Sequence, residues 1–308
     1  MIQEWNQTRV SEFIFIGISS NRELQLTFFI LLLVVYLLCL FGYLAIIIVV
    51  KVDPHLQTPM YFFLSHFSFL EMCFTSNTIP KLLYNLLTEN NHILFEECIV
   101  QMFFFLSFVT IDCLLLTVMS YDRFVAICCP LHYNNIMTKT ICNSFTTVLW
   151  SIGFVYSAIH TSVLLQLPFC GPNEIDHFFC DFPIVLKLSC SDTFLNHLLM
   201  SVTGSLLGFS CLLMILRSYI NIITAVVKIR FSERTSKAFS TCTSHLTVVS
   251  LYYGTLIFTY LPPPSNYSLN YDKVVALVYC IGNPMLNSII YSLNNKEVKG
   301  AFKKLLQL

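Results

Sequence analysis

Apolar residues gather along this chain into runs longer than a soluble core requires. Seven such runs follow one another: Leu26–Val50, Met60–Leu83, Ile99–Ile127, Ile141–Leu165, Leu195–Val227, Ala238–Leu261 and Val274–Leu293. A helix needs about 20 mostly apolar residues to cross the hydrocarbon layer of a bilayer. The second, fourth and seventh runs contain Ser, Thr, Asn and Pro, so their hydropathic signal is weaker. None alternates apolar and polar residues over about 10 positions, as strands of a membrane barrel do. The pattern predicts an all-α membrane protein, a seven-transmembrane helix bundle forming one domain over residues 1–308. After the last run comes "NNKEVKGAFKKLLQL", where Val298, Phe302, Leu305 and Leu306 share one helical face and Lys299, Lys303 and Lys304 lie off it. This predicts a short amphipathic helix on the membrane surface over 294–308.

Composition agrees. Of 308 residues, 56% are hydrophobic and 11% charged, against about a quarter charged in a soluble domain. Lys+Arg and Asp+Glu balance at 17 each, and no basic tract exceeds two residues, so nothing points to nucleic acid. Glu4 and Arg9 precede any apolar run, which does not fit a cleaved signal peptide; the first span is expected to direct insertion. With the N-terminus outside, twelve Lys and Arg fall on the cytoplasmic side (among them Lys51, Arg123, Lys139, Arg217 and Lys228) and five outside: Arg9, Arg22, Lys81, Lys187 and Lys273. The positive-inside rule therefore predicts an extracellular segment 1–23, a long extracellular loop 166–194 and a cytoplasmic C-terminus. Asn6-Gln7-Thr8 is then a glycosylation acceptor on the outer side. Asn266-Tyr267-Ser268 fits the same rule but lies too near the membrane to be favoured.

The chain has 13 cysteines and no CxxC pair, so a zinc site is not indicated and no metal ligand set is assigned. Cys170, Cys180 and Cys190 lie in the long outer loop and Cys98 at the outer mouth of the third span. Four cysteines on the oxidising side suggest two disulfides, with three connectivities open. Cys39, Cys73, Cys113, Cys211, Cys242 and Cys280 fall within spans and read as small buried hydrophobes.

Charged side chains at membrane depth carry more information. An unpaired charge there costs about 2.5–3.5 kcal/mol on insertion scales and usually marks function. Asp122 and Arg123 stand side by side at the inner end of the third run, an arrangement expected to reduce that cost. Glu71 and Asp112 lie well inside the second and third spans. Two close carboxylates cannot both ionise cheaply; a sodium ion or water cluster between them is the functional reading, two protonated hydrogen-bonded acids the alternative.

Rival classes find little support. A transporter predicts internal repeats and broken helices in matching halves; seven spans do not halve, and nine glycines are few. A membrane enzyme predicts a reactive constellation, yet there is no HExxH, and His197 and His245 stand alone.

Five segments in order carry a resemblance. "PMYFFLSHFSFLE" (59–71), "MSYDRFVAICCPLHY" (119–133), "KAFSTCTSHLTVV" (237–249), "YYG" (252–254) and "PMLNSIIYSLNNKEVKGA" (284–301) are similar to signatures of odorant receptors, a group of rhodopsin-like G-protein-coupled receptors. The resemblance spans nearly the whole chain. It implies a non-enzymatic receptor in the plasma membrane of sensory cilia. Its partners are a small volatile odorant and a stimulatory, olfactory-type heterotrimeric G protein that raises cyclic AMP. It implies disulfides Cys98–Cys180 and Cys170–Cys190. It assigns the coupling switch to Asp122, Arg123, Tyr219, Tyr253, Asn287 and Tyr291, with Arg123 held inward at rest, and brings Glu71 and Asp112 near Asn287. Where related receptors carry an acid on the sixth span, this chain has Thr235, leaving Asp122 as the expected restraint on Arg123.

The resemblance also places the odorant between spans three, five and six. It implies a lining of Phe105, Leu106, Val109 and Thr110 from the third span, Thr203 and Leu207 from the fifth, Leu256, Ile257 and Tyr260 from the sixth, and Phe182 from the loop. That lining holds no charge, which disfavours a cationic amine. His160 on the fourth span reads as a packing residue. The chain departs from the family pattern at Tyr43, where Asn is usual, at Glu71 and Asp112, and at Ser288, which replaces a proline. Without that proline the seventh helix is expected to be less kinked.

Overall fold

The computed structural model describes residues 10–17, 21–88, 90–170, 173–228, 233–260, 269–293 and 296–305. Six long helices and a seventh, interrupted one make up the bundle: α1 (Arg22–Val52), α2 (Pro59–Thr88), α3 (Phe95–Cys128), α5 (Lys139–Leu164), α7 (Phe194–Lys228), α8 (Glu233–Tyr260), then α9 (Leu269–Leu277) continuing into α10 (Asn283–Leu293). Short helices α4 (Tyr133–Ile136) and α6 (Phe182–Leu186) sit in loops, and α11 (Lys296–Leu305) closes the chain. Among the described residues, five helices are long and apolar enough on their own to cross a membrane.

The apolar faces explain the packing. On α1, Ile30, Leu31, Leu38 and Phe41 are exposed while Cys39, Tyr43, Ile46 and Val49 are buried. On α7, Leu206, Phe209 and Leu213 are likewise exposed. Such outward apolar faces suit a helix bathed in lipid, where every backbone bond must close within the helix. α3 is the central post, with Ile111, Leu115, Leu116 and Met119 almost fully buried. Its first turn holds Glu96 and Glu97, acids favoured at a helix N-terminus by the dipole, so the helix starts before the apolar run does.

Between α9 and α10 the helix widens into a π turn at Val278–Gly282, which ends two residues before Pro284. The seventh helix is therefore irregular in spite of Ser288, with the irregularity placed upstream of it. α11 buries Val298 and Ala301 in the bundle core and leaves Lys299 and Phe302 exposed. The face expected from the sequence is thus split: Val298 packs inward and Phe302 outward.

The outer end carries a three-stranded sheet that the hydropathic pattern does not announce. β1 (Glu12–Phe15) lies between β2 (His92–Leu94), antiparallel to it, and β3 (Glu174–Ile175), parallel to it. The N-terminal segment is thereby stitched across the long loop. Phe13 and Phe15 turn down into a separate apolar cluster with Ile93, Ile175 and Leu164, and Phe13 meets the rings of Phe95 and Phe169 at 5.8 and 6.3 Å. Gly17, at φ +79°, follows the strand in a conformation that side chains disfavour. Lys273 fastens this segment: its ammonium is 2.6 Å from Asp176 and donates to the Gly17 carbonyl at 2.9 Å.

Candidate functional site

Two disulfides anchor the outer loop. Cys98 joins Cys180, with Cα atoms 5.5 Å apart, and Cys170 joins Cys190, at 5.8 Å, both ordinary separations for a bridge. The first ties the loop to the mouth of α3. Gln101, one turn below, reinforces it: its side-chain oxygen accepts from the Cys180 N–H at 2.9 Å and its amide nitrogen donates to the Asn77 carbonyl at 2.9 Å. Asn77 answers by donating to the Gln101 carbonyl.

The tether decides which loop residues enter the bundle. Phe178 and Phe179, just before Cys180, belong to the central core, where Phe179 meets Phe105 at a ring distance of 4.7 Å. Phe105 also packs on Phe74 at 5.3 Å and Tyr279 at 6.1 Å. Phe182 instead sits in the outer cluster, edge-on to His160 at 5.7 Å. The loop residue over Phe105 is therefore Phe179 rather than the expected Phe182. The signal was in the sequence: two aromatics directly before a cysteine bonded to α3 must lie over its mouth.

The remaining expected lining is placed as follows. Leu106 and Thr110 are buried on α3, the Thr110 hydroxyl bonding back to the Leu106 carbonyl at 2.9 Å. Val109 packs against the core, and its carbonyl accepts from the Tyr252 hydroxyl at 2.6 Å. Leu207 and Leu256 are half-buried against the same core. Thr203 joins a polar group between α5 and α7: its hydroxyl lies 3.1 Å from His160 Nε2 and 3.2 Å from the Tyr156 hydroxyl. His160 is thus more than packing, since it bridges two spans by hydrogen bonding. Ile257 differs from the expected buried lining: its side chain is exposed, one turn beyond Tyr253 on α8. The side chain of Tyr260, and Asn6, lie outside the described residues.

Two loop residues under the sheet are titratable. Burial, with Lys273 second, lowers His177 to about 4, so its ring is neutral at pH 7. Burial raises the Asp181 carboxyl to about 7, partly offset by the Phe182 N–H it accepts at 2.8 Å.

The inner end differs from expectation. No ion pair within 4.0 Å joins Asp122 to Arg123. Adjacent residues on a helix point about 100° apart, and these two take different partners. Asp122 accepts from the Tyr133 hydroxyl of α4 at 2.8 Å, while an Arg123 guanidinium nitrogen lies 3.4 Å from Met60 Sδ. Asp122 is therefore tied to the inner loop and is not a direct clamp on Arg123. Arg123 itself is buried at the inner end of α3. Tyr219 links to His245 Nδ1 at 2.8 Å with the rings stacked, joining α7 to α8. Higher up, the Tyr253 hydroxyl is 3.1 Å from Cys113 Sγ, joining α8 to α3. Thr235 lies in α8, with its side chain outside the described residues.

Between the two ends lies the acid pair. Asn287 donates to Glu71 at 2.6 Å. Asp112 is buried on α3, and one oxygen of Asp112, the side-chain oxygen of Asn287 and the Tyr291 hydroxyl have no hydrogen-bond partner. Buried polar atoms without partners are costly.

A helical bundle with a disulfide-tethered outer loop, a buried inner arginine and an acid pair at mid-depth is the architecture of a G-protein-coupled receptor. The sequence pattern of the olfactory receptor family matches residues 32–308. Mouse olfactory receptor 5AP2 is 46% identical over 305 residues, covering 99% of this chain and 96% of its own. Mouse olfactory receptor 5AR1 is 46% identical over 98% of this chain and 97% of its own, and human olfactory receptor 5I1 44% over 98% and 96%. The chain belongs to the olfactory receptor family, a membrane receptor family and not an enzymatic one.

Proposed function

We propose that this receptor binds a small, largely neutral volatile beneath the outer loop and activates a stimulatory heterotrimeric G protein, raising cyclic AMP. The observation that carries the ligand reading is the contact between Phe179 and Phe105. It sets an uncharged aromatic roof over the third-span positions that face the interior. An apolar wall with the hydroxyls of Thr110 and Thr203 suits a molecule held by burial and one or two hydrogen bonds. A cation or carboxylate placed there would lose its hydration without a partner. The N-terminus is extracellular on this reading, Asn6 is glycosylated, and the receptor works in the plasma membrane of sensory cilia.

Coupling uses the inner end. Arg123 rests against Met60 and is released when α8 moves, to meet the G protein. Glu71, Asp112 and Asn287 are the residues that would hold a sodium ion, whose charge offsets that of the two acids. Asn287 orients Glu71, and Tyr291, a turn further on, connects this cluster to the arginine.

The test is a cyclic-AMP reporter in cells expressing the chain with a stimulatory G-protein α subunit, screened against a panel of volatiles. Responses to neutral volatiles support the reading. A permanently charged amine as the best agonist, or signalling only through another G-protein class, overturns it.

A further inference from the structure

On the opposite flank from the ligand chamber, a cavity of about 490 Å³ opens between α1, α2 and α5 near their inner ends. Ile47, Phe62 and Met137 form its apolar wall, with Lys51 and Lys139 at the edge. None of its fourteen lining residues is acidic. Both lysines are exposed, and neither has an ion-pair partner among the described residues. The nearest acid in sequence, Asp53, is occupied in capping the turn that follows α1, accepting from the His55 N–H at 2.9 Å.

Two cations beside an apolar wall complement an amphiphile with an anionic head. The wall continues onto the lipid-facing surface, where Ile48, Val52 and Ile141 are exposed, so an acyl chain can leave the cavity without meeting water. We propose that this cavity binds an anionic phospholipid. Its phosphate lies between Lys51 and Lys139, its first methylenes lie on Phe62 and Ile47, and its tails run along α1 and α5. Thr58, Gln57 and Asn143 line the same space and can hydrogen-bond the glycerol and headgroup oxygens. The assignment to the cytoplasmic leaflet, where anionic lipids concentrate, rests on the orientation proposed above. Occupancy would brace α1, α2 and α5 against one another while leaving the moving α8 free.

The experiment uses the full-length receptor in nanodiscs of phosphatidylcholine doped with phosphatidylserine, with lipids retained on the protein counted by native mass spectrometry. Phosphatidylserine is expected to be retained over phosphatidylcholine. The double variant Lys51→Ala/Lys139→Ala should lower that preference roughly tenfold or more, as the loss of two cations at a membrane surface implies. Lys51→Arg/Lys139→Arg should restore it, and Lys187→Ala, on the outer loop, should leave it unchanged. An unaltered preference in the double alanine variant overturns the site, as does an equal fall in Lys187→Ala. Displacement of the lipid by millimolar inorganic phosphate assigns the lysines to a free anion and overturns the lipid reading. A nanodisc exposes both leaflets, so retention reports on the cavity whichever way the chain is inserted. Antibody access to an N-terminal tag on intact cells reports separately on the orientation.

Discussion

The Tyr43 hydroxyl donates a hydrogen bond to the Pro284 carbonyl at 2.6 Å, tying α1 to α10 in the middle of the bundle. One residue earlier, Gly42 lies directly against Ser288, and any side chain at 42 would collide with the Ser288 hydroxyl. The two departures from the family pattern, Tyr43 and Ser288, thus belong to a single helix contact. In the α10 register the Ser288 N–H points at the Pro284 carbonyl, so that one oxygen can serve both residues.

Ser288→Pro removes the helical donor to Pro284 and should raise the agonist response by loosening the seventh helix. Tyr43→Phe alone should cost about 1 kcal/mol, an ordinary hydrogen bond. Together the two leave the carbonyl without either donor, so their combined effect on unfolding free energy should exceed the sum by about 1 kcal/mol. Strict additivity in a double-mutant cycle, or an unchanged dose–response curve for Ser288→Pro, would separate the two residues again.

Arg123→Ala should abolish the cyclic-AMP response while leaving surface expression and ligand binding largely intact. Among the described residues Arg123 hydrogen-bonds Met60, so its loss removes little that holds the bundle together. Tyr133→Phe makes a useful companion: it frees Asp122 without touching the arginine, and should alter basal activity less than tenfold. Surface-matched reporter assays check both, and a full response from Arg123→Ala would rule out the coupling role.

Phe105→Asp places a carboxylate among Phe74, Phe179 and Tyr279. With no cation described nearby, the penalty is several kcal/mol, and responses to neutral volatiles should vanish. Phe179→Leu keeps the chamber apolar but removes a ring, so it should weaken responses by roughly tenfold. Retained neutral-ligand responses in Phe105→Asp would move the chamber elsewhere.

Asp181 sets a pH dependence on the outer loop. Its folded pKa is raised to about 7 from an ordinary 3.8. The buried carboxyl therefore favours the folded loop below pH 4, and that contribution fades as pH rises toward and through 7. Asp181→Asn keeps an oxygen for the Phe182 N–H and carries no charge. The variant should match the parent below pH 4 and exceed its stability increasingly between pH 4 and 7, the gap levelling off above pH 7 at an amount on the order of a few kcal/mol. A constant gap across that range would mean that Asp181 does not titrate there.

The sequence by itself determined the spans, because lipid imposes one demand on every crossing helix: about 20 apolar residues with all backbone bonds closed internally. The run Leu195–Val227 accordingly falls within one residue of α7 at each end. It also determined that α11 would be amphipathic, since that is a periodicity along one element. What it could not determine were relations between elements. β1 and β3 have four and two residues, too few for a local pattern, and exist because the Cys98–Cys180 tether brings the loop beneath the N-terminal segment. Asp122 and Arg123 are neighbours in the chain, yet helical geometry turns them apart, and only the packing of α2, α4 and α7 around α3 shows that one meets Tyr133 and the other Met60. The exposure of Ile257, next to the half-buried Leu256, was hidden for a related reason. In a membrane both faces of a helix are apolar, so hydropathy cannot distinguish lipid from core, and the neighbouring helices decide.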